Sequence, residues 1–315
     1  METTLVIGDS RQLNDWSQID WKSVVKNVKN LRKRIYRATQ NGQWNKVRSL
    51  TKLMLRSFDN LILSVRKVTQ LNQGKRTAGV DKEVASTPEQ RVKLVREMGE
   101  HTLWKVKPTK RVYIPKSNGK QRPLGIPTIK DRIAQAVVKN ALEPIWEAKF
   151  EPNSYGFRIG RSCHDAIEQC FNRLTGGKDT WILDADITGF FDNITHETIL
   201  ESIGKFPARN LIKLWLKAGY LDKGKFHETK SGTPQGGIIS PLLANIGLHG
   251  LEKFIKQFKK EKNRDKYGFI RYADDFIVTA KSKEDIEEIQ QKNRTMVINK
   301  GTKTKQRKNQ NCSHQ

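Results

Sequence analysis

The stretch Phe269-Ile270-Arg271-Tyr272-Ala273-Asp274-Asp275-Phe276-Ile277-Val278 sets two adjacent carboxylates between two apolar runs. Like charges side by side repel one another, and burial makes the repulsion worse. Two arrangements resolve the conflict. In one, the apolar runs are strands and Asp274-Asp275 is an exposed turn between them. In the other, a cation neutralises the pair. A second acidic segment bears on the choice. Residues 181–187 read WILDADI, with Asp184 and Asp186 at alternate positions of an apolar run, followed by Phe190, Phe191 and Asp192. Alternate residues of a strand share a face. Read alone, this is a strand entering a polar loop. If it neighbours the first stretch, Asp186, Asp274 and Asp275 converge on divalent cations. Magnesium suits such oxygen donors and substrate phosphates, and two ions can assist an in-line displacement.

Charge narrows the partner. Lys plus Arg total 59 against 33 Asp plus Glu, a formal net charge of +26 in 315 residues. A balance this basic implies a polyanion, nucleic acid first and an anionic membrane surface second. No apolar run approaches the roughly 18 residues of a spanning helix, and METTLVIGDSRQLNDW lacks the pattern of a secretory signal. Cys163, Cys170 and Cys312 have no metal-ligand spacing, are odd in number and fit a reducing cytoplasm. Residues 18–70 read as two basic helices. Trp21, Val24, Val25, Val28 and Leu31 form a stripe amid lysines and arginines, and Asn41-Gly42 separates it from a second run through Leu63. Such helices are either a solvated face over a packed stripe or an arm lying on a phosphate backbone. Residues 111–114 read as a strand, 115–120 as a basic turn, and a further element begins at Arg122. Residues 131–148 read as a buried helix, and 164–176 as another.

Taken together, ordered blocks resemble the reverse transcriptases encoded within bacterial group II introns. Tyr272-Ala273-Asp274-Asp275 is similar to their signature turn. Arg111 to Lys116 and Arg122 to Pro127 are similar to fingers segments, and Asn153 to Arg158 to a further block. Asp186-Ile187 with Phe190-Phe191-Asp192 matches the first palm motif. Gly232-Thr233-Pro234-Gln235-Gly236-Gly237, with Ile239-Ser240-Pro241, matches the second. The resemblance implies an α+β right-hand polymerase. Residues 1–100 would be a basic helical extension and the start of the fingers, 101–180 fingers, 181–300 palm, and 301–315 a disordered basic tail, with little or no thumb. It implies an RNA-directed DNA polymerase using Mg2+, or Mn2+ in its place, with Asp186, Asp274 and Asp275 as metal ligands. It implies that Lys116 and Arg122 grip the triphosphate, that Gln235 lies near nucleotide and template with Gly236 and Gly237 allowing close approach, and that Phe191 excludes a ribose 2′-OH. Arg66, Lys67, Lys75 and Arg76 fall where relatives clamp the template. Implied partners are intron RNA, an RNA template, a DNA or RNA primer, deoxynucleotides, and a second chain supplying the grip of a thumb; a membrane is not among them.

Two other readings stay open: a non-enzymatic intron-RNA-binding maturase or remnant, and a reverse transcriptase of a retron or defence system. After Val278 the chain departs from the family pattern. From Arg294 onward there are six Lys or Arg and no acid, so disorder is one expectation. The other is a short strand at Met296-Val297-Ile298 completing the palm, with Lys303 or Lys305 facing phosphate. Cys312 and His314 resemble half a metal site.

Overall fold

The computed structural model describes residues 13–99, 105–116, 119–258, 260–261, 264–299 and 303–311. They divide into two compact units, each built from two stretches of chain: Met1–Lys149 with Ile203–Pro241, and Phe150–Ser202 with Leu242–Gln315. The fold is mixed α+β with a helical N-terminal region, as the sequence implies.

The first unit opens with helix α1 (Trp21–Gln40), whose start is capped by the Asp20 carboxylate accepting from the N–H groups of Lys22 and Ser23. Val24, Val28, Leu31 and Ile35 are buried along one stripe, and Lys22, Lys26, Lys29, Lys33, Arg34 and Arg37 are exposed around it. The expected second helix is in fact two, α2 (Trp44–Arg56) and α3 (Phe58–Arg66). Ser57 divides them. Its backbone is extended, and its side chain accepts the Asn60 N–H as the cap of α3. A π-helical turn, Lys67–Leu71, and helix α4 (Pro88–Gly99) follow.

Strand β1 (Thr109–Pro115) and the turn after it are as the sequence predicts, and the further element at Arg122 is a strand, β2 (Gln121–Ile126), which pairs with β1 as a hairpin, Ile114 standing opposite Arg122. Helix α5 (Ile129–Glu147) is the buried helix expected over 131–148, with Ile133, Ala134, Val137, Val138 and Ala141 at its core. Pro144 has no N–H to offer the Asn140 carbonyl one turn back. Arg32 of α1 donates to that carbonyl at 3.5 Å, donates to Asn140 Oδ1 at 3.1 Å, and pairs with Glu143 at 2.6 Å.

The chain then enters the second unit. Helix α6 (Cys163–Leu174) begins at a reciprocal cap between Ser162 and Asp165. Strand β3 (Trp181–Thr188), the short helix α7 (Phe190–Asn193) and helix α8 (His196–Ile203) follow. Helix α9 (Arg209–Leu216) and strands β4 (Tyr220–Asp222) and β5 (Lys225–His227) belong to the first unit. Its sheet has the order β2-β1-β4-β5, with β1 and β4 parallel.

The rest of the second unit runs through α10 (Ser240–Leu248), α11 (Leu251–Lys256), the short strands β6 (Lys260–Glu261) and β7 (Arg264–Asp265), β8 (Gly268–Tyr272), β9 (Asp275–Ala280), α12 (Lys283–Asn299) and β10 (Lys303–Asn311). Its sheet is antiparallel throughout, in the order β10-β3-β9-β8. Leu183, Ala185 and Ile187 of β3 and Phe276 and Val278 of β9 are buried, and α12 packs on these two strands and buries Ile286 and Ile289. Residues 296–298 continue α12 instead of forming a strand, and residues 303–311 form β10 instead of a disordered tail. The reason is the edge of β3, whose backbone groups need partners that polar residues satisfy as well as apolar ones. The register sets Lys305 opposite Asp186 and Lys303 opposite Thr188. Ser117, Asn118, Cys312 and His314 lie outside the described residues. Among the described residues no helix is long and apolar enough to cross a membrane.

Candidate active site

The second unit carries the carboxylates. Asp184 and Asp186 are half-buried on β3 while their alternate neighbours Leu183, Ala185 and Ile187 are buried, so the strand divides its faces as the spacing predicts. Asp186 stands directly opposite Asp275 in the β3–β9 register. Asp274 lies in the β8–β9 turn, where its carbonyl accepts the Ile187 N–H at 3.4 Å. Strand pairing thus draws the backbones of all three residues to one end of the sheet, although Asp186 lies 88 positions before Asp274. Three carboxylates are hard oxygen donors of the kind magnesium takes. In this conformation, no three His, Cys, Asp or Glu side chains among the described residues are gathered closely enough to hold a metal ion.

The turn is held from beneath. Ala273 has φ +57°, a conformation that costs energy for a residue with a Cβ. Its carbonyl accepts from Arg271 Nη1 at 2.8 Å. Arg271 is 0% exposed and also donates to Asn245 Oδ1 at 3.0 Å and to the Ser154 hydroxyl. Asn245 in turn donates to the Gly156 carbonyl at 2.8 Å. Residues 153–155 run beside β8, with Arg271 N–H donating to the Asn153 carbonyl and Tyr155 N–H donating to the Arg271 carbonyl, both at 2.9 Å. Desolvation pushes the Arg271 guanidinium down to about 10, against the pull of Glu151, Glu252 and Asp274. Sequence reasoning did not single out Arg271, Ser154 or Asn245. Its one available signal was an arginine inside an apolar strand.

Phe191, on α7, is 7% exposed. Its ring meets Phe190 edge-on at 6.0 Å and Phe157 at 6.3 Å. Phe157 is 51% exposed and has φ +60°. Tyr272 is exposed and Ala273 buried.

The first unit brings together two residues expected to contact nucleotide. Arg122 Nε donates to Gln235 Oε1 at 2.9 Å, and the Gly125 N–H donates to the Gln235 carbonyl at 2.6 Å. Gly236 has φ +117°, and a Cβ there would stand 2.8 Å from the Gly125 carbonyl oxygen. Glycine is therefore required for the loop to lie against β2. A Cβ at Gly237 would meet Ser240 Oγ at 2.6 Å. Gln135 of α5, missed in the sequence, is buried and accepts the Ile238 N–H at 2.9 Å, fixing the loop from its other side. Lys116 is exposed on the hairpin turn, its N–H donating to the Lys120 carbonyl at 2.7 Å.

The four residues expected to clamp template are dispersed in role. Arg66 lies over the Trp21 ring at 4.3 Å, a packing contact within the helices. The Lys67 ammonium is held below the usual lysine range, chiefly by desolvation and then by Lys139, with Glu143 opposing and Arg32 adding to the shift. Lys75 donates to the Gln70 carbonyl at 3.1 Å, and Arg76 is exposed beside it.

Residues 114–315 match the family described as reverse transcriptase (RNA-dependent DNA polymerase), and residues 16–98 match the N-terminal domain of reverse transcriptase. The chain belongs to the reverse transcriptase family. Its relatives include a group II intron-encoded protein. It is 42% identical over 200 residues to the group II intron-encoded protein LtrA of Lactococcus lactis subsp. cremoris, covering 62% of this chain and 33% of the relative. It is 37% identical over 207 residues to protein YkfC of Escherichia coli (strain K12), covering 55% of this chain and 54% of that protein. This reverse transcriptase chain thus spans about a third of one relative and about half of the other. Among solved structures it is similar to apo telomerase from Candida tropicalis truncated from its C-terminal domain, with a TM-score of 0.48 and 14% identity over 67% of this chain and 51% of that one. A partial Cas6-RT-Cas1–Cas2 complex gives a TM-score of 0.40 and 22% identity over 76% of this chain and 42% of that one.

Proposed function

We propose that the chain is the polymerising part of an RNA-directed DNA polymerase. It extends a primer 3′ hydroxyl with deoxynucleotides along an RNA template, and pyrophosphate leaves. The observation that carries this reading is the strand register that sets Asp186 opposite Asp275, with Asp274 in the adjoining turn. In a reverse transcriptase, three carboxylates at these positions are the residues that would hold Mg2+, or Mn2+ in its place; their hard oxygens are of the kind it takes, and the side chains would have to close on it. The ion, when bound, supplies charge neutralisation at the phosphates and activation of the attacking hydroxyl. On this reading the sheet of the second unit is the palm and the β1–β2 hairpin belongs to the fingers.

The protein's own groups bind and orient. Gln235 occupies Arg122 Nε and fixes the plane of the guanidinium. The remaining donors of that fork are suited to triphosphate oxygens, and Lys116 adds a point charge. Phe191 limits the space beside the sugar. The experiment is primer extension on a primed poly(A) template with magnesium, beside filter binding to RNA. Asp274→Asn is expected to abolish extension and leave RNA affinity nearly unchanged. Full extension by this variant would remove the assignment.

A second reading, intron RNA binding without polymerisation, is favoured by one observation: the exposed Lys and Arg face of α1. The two activities are compatible, and template, primer and intron RNA all present the phosphates such a face attracts.

A further inference from the structure

We infer that Arg271 is a positioning residue that sets the Asp274-Asp275 turn for metal binding, through a buried frame with Ser154 and Asn245; the inference rests on the metal-site reading above. Arg271 lies on β8, just before the turn that carries the pair, yet it does not reach the surface. Its guanidinium joins three parts of the second unit: the Ala273 carbonyl within the turn, Ser154 on the neighbouring extended segment, and Asn245 on α10. Ser154 and Asn245 are each 1% exposed. The frame closes on itself, because Asn245 also holds the Gly156 carbonyl, and Gly156 lies so close to the turn that a Cβ would come within 2.4 Å of Ala273 N.

Stability alone is a poor reason for this arrangement. Burying a guanidinium costs several kcal/mol that pairing only partly returns. Among the described residues, Arg271 Nε has no hydrogen-bond partner, a further cost. What the arginine does supply is a rigid planar fork. One arm holds a backbone carbonyl of a left-handed residue, and the other is itself held by a hydroxyl. A lysine keeps the charge without the fork. The direction in which Ala273 leaves β8 decides where Asp274 and Asp275 begin. Arg271 therefore fixes the carboxylates through the backbone, touching neither substrate nor metal. It also sets a positive charge within electrostatic reach of Asp274.

The test uses three variants of the full chain: Ser154→Ala, which removes one strut and keeps the arginine; Arg271→Lys, which keeps the charge and removes the fork; and Asp274→Asn as a ligand control. Mn2+ binding is read by the loss of the free-ion electron paramagnetic resonance signal. Primer extension is read as a function of magnesium concentration, and melting temperature reports folding. Ser154→Ala is expected to fold, to bind Mn2+ about tenfold more weakly, and to need correspondingly more magnesium. Arg271→Lys is expected to lose about 100-fold in turnover, the scale of a misplacement near 1 Å, with little change in deoxynucleotide KM. If Arg271→Lys does not fold, Ser154→Ala decides alone. Unchanged Mn2+ affinity and an unchanged magnesium midpoint in folded Ser154→Ala would overturn the inference and leave the metal site standing. Wild-type protein that binds Mn2+ no better than Asp274→Asn would overturn the metal site itself, and the inference with it.

Discussion

Gly156 and Phe191 show how much one side chain decides near the carboxylates. A methyl group at Gly156 would press on the backbone of Ala273, so Gly156→Ala is expected to cost about 1–3 kcal/mol of stability, the usual price of overpacking. Thermal unfolding measures this, and primer extension should fall in parallel because the turn must move. Phe191→Ala should raise ribonucleotide over deoxyribonucleotide incorporation in single-turnover assays. It should also lower stability by roughly 3–5 kcal/mol, since the ring is buried. An unchanged nucleotide ratio in the folded fraction would leave Phe191 with a packing role alone. At this scale the sequence drew attention to Asp186, Asp274 and Asp275 because charge stood in apolar surroundings, and the strand register brings their backbones together. Arg271 lay in the same stretch and escaped notice. Its meaning depends on Ser154, known from the sequence only as part of the Asn153 to Arg158 block, and on Asn245, neither of them adjacent to it in the chain.

Elements show a similar division. Helix α5 and the β8–β9 hairpin were legible because apolar spacing and a turn signal agree. The break at Ser57 was not, because one cap interrupts an otherwise continuous apolar run. Ser57→Ala is expected to lower stability by about 1 kcal/mol, the typical value of a lost cap, measurable in a urea titration. Strand β10 was illegible for another reason: its residues are polar throughout, and the edge of β3 makes it a strand. The loop at Gln235 was recognised by its glycines, but not by the contact that gives it a role. Gln235→Ala frees Arg122 and is expected to raise deoxynucleotide KM about tenfold, in the range for a lost hydrogen bond to a charged group. Turnover should change less, and a KM equal to wild type would remove Gln235 from nucleotide binding.

For the molecule as a whole, a net charge of +26 sets the expected response to salt. RNA affinity should fall by about 10³-fold or more between 50 and 200 mM salt if six or more phosphates are engaged. Structured intron RNA should compete better than an unstructured RNA of equal length if the N-terminal helices present a shaped surface. Equal competition at every salt concentration would leave electrostatics as the whole account. The division into two units was invisible in the sequence, because neither is contiguous and no linker marks a boundary. That interleaving has a consequence for synthesis. Strand β3 leaves the ribosome well before its partner β9, whose Asp274-Asp275 end follows Asp186 by 88 positions at the turn. At roughly 5–20 residues per second, an apolar strand bearing half-finished chemistry waits on the order of 4–18 s for its neighbour. Newborn chains stalled between residues 188 and 275 should therefore be the ones that chaperones hold and proteases cut.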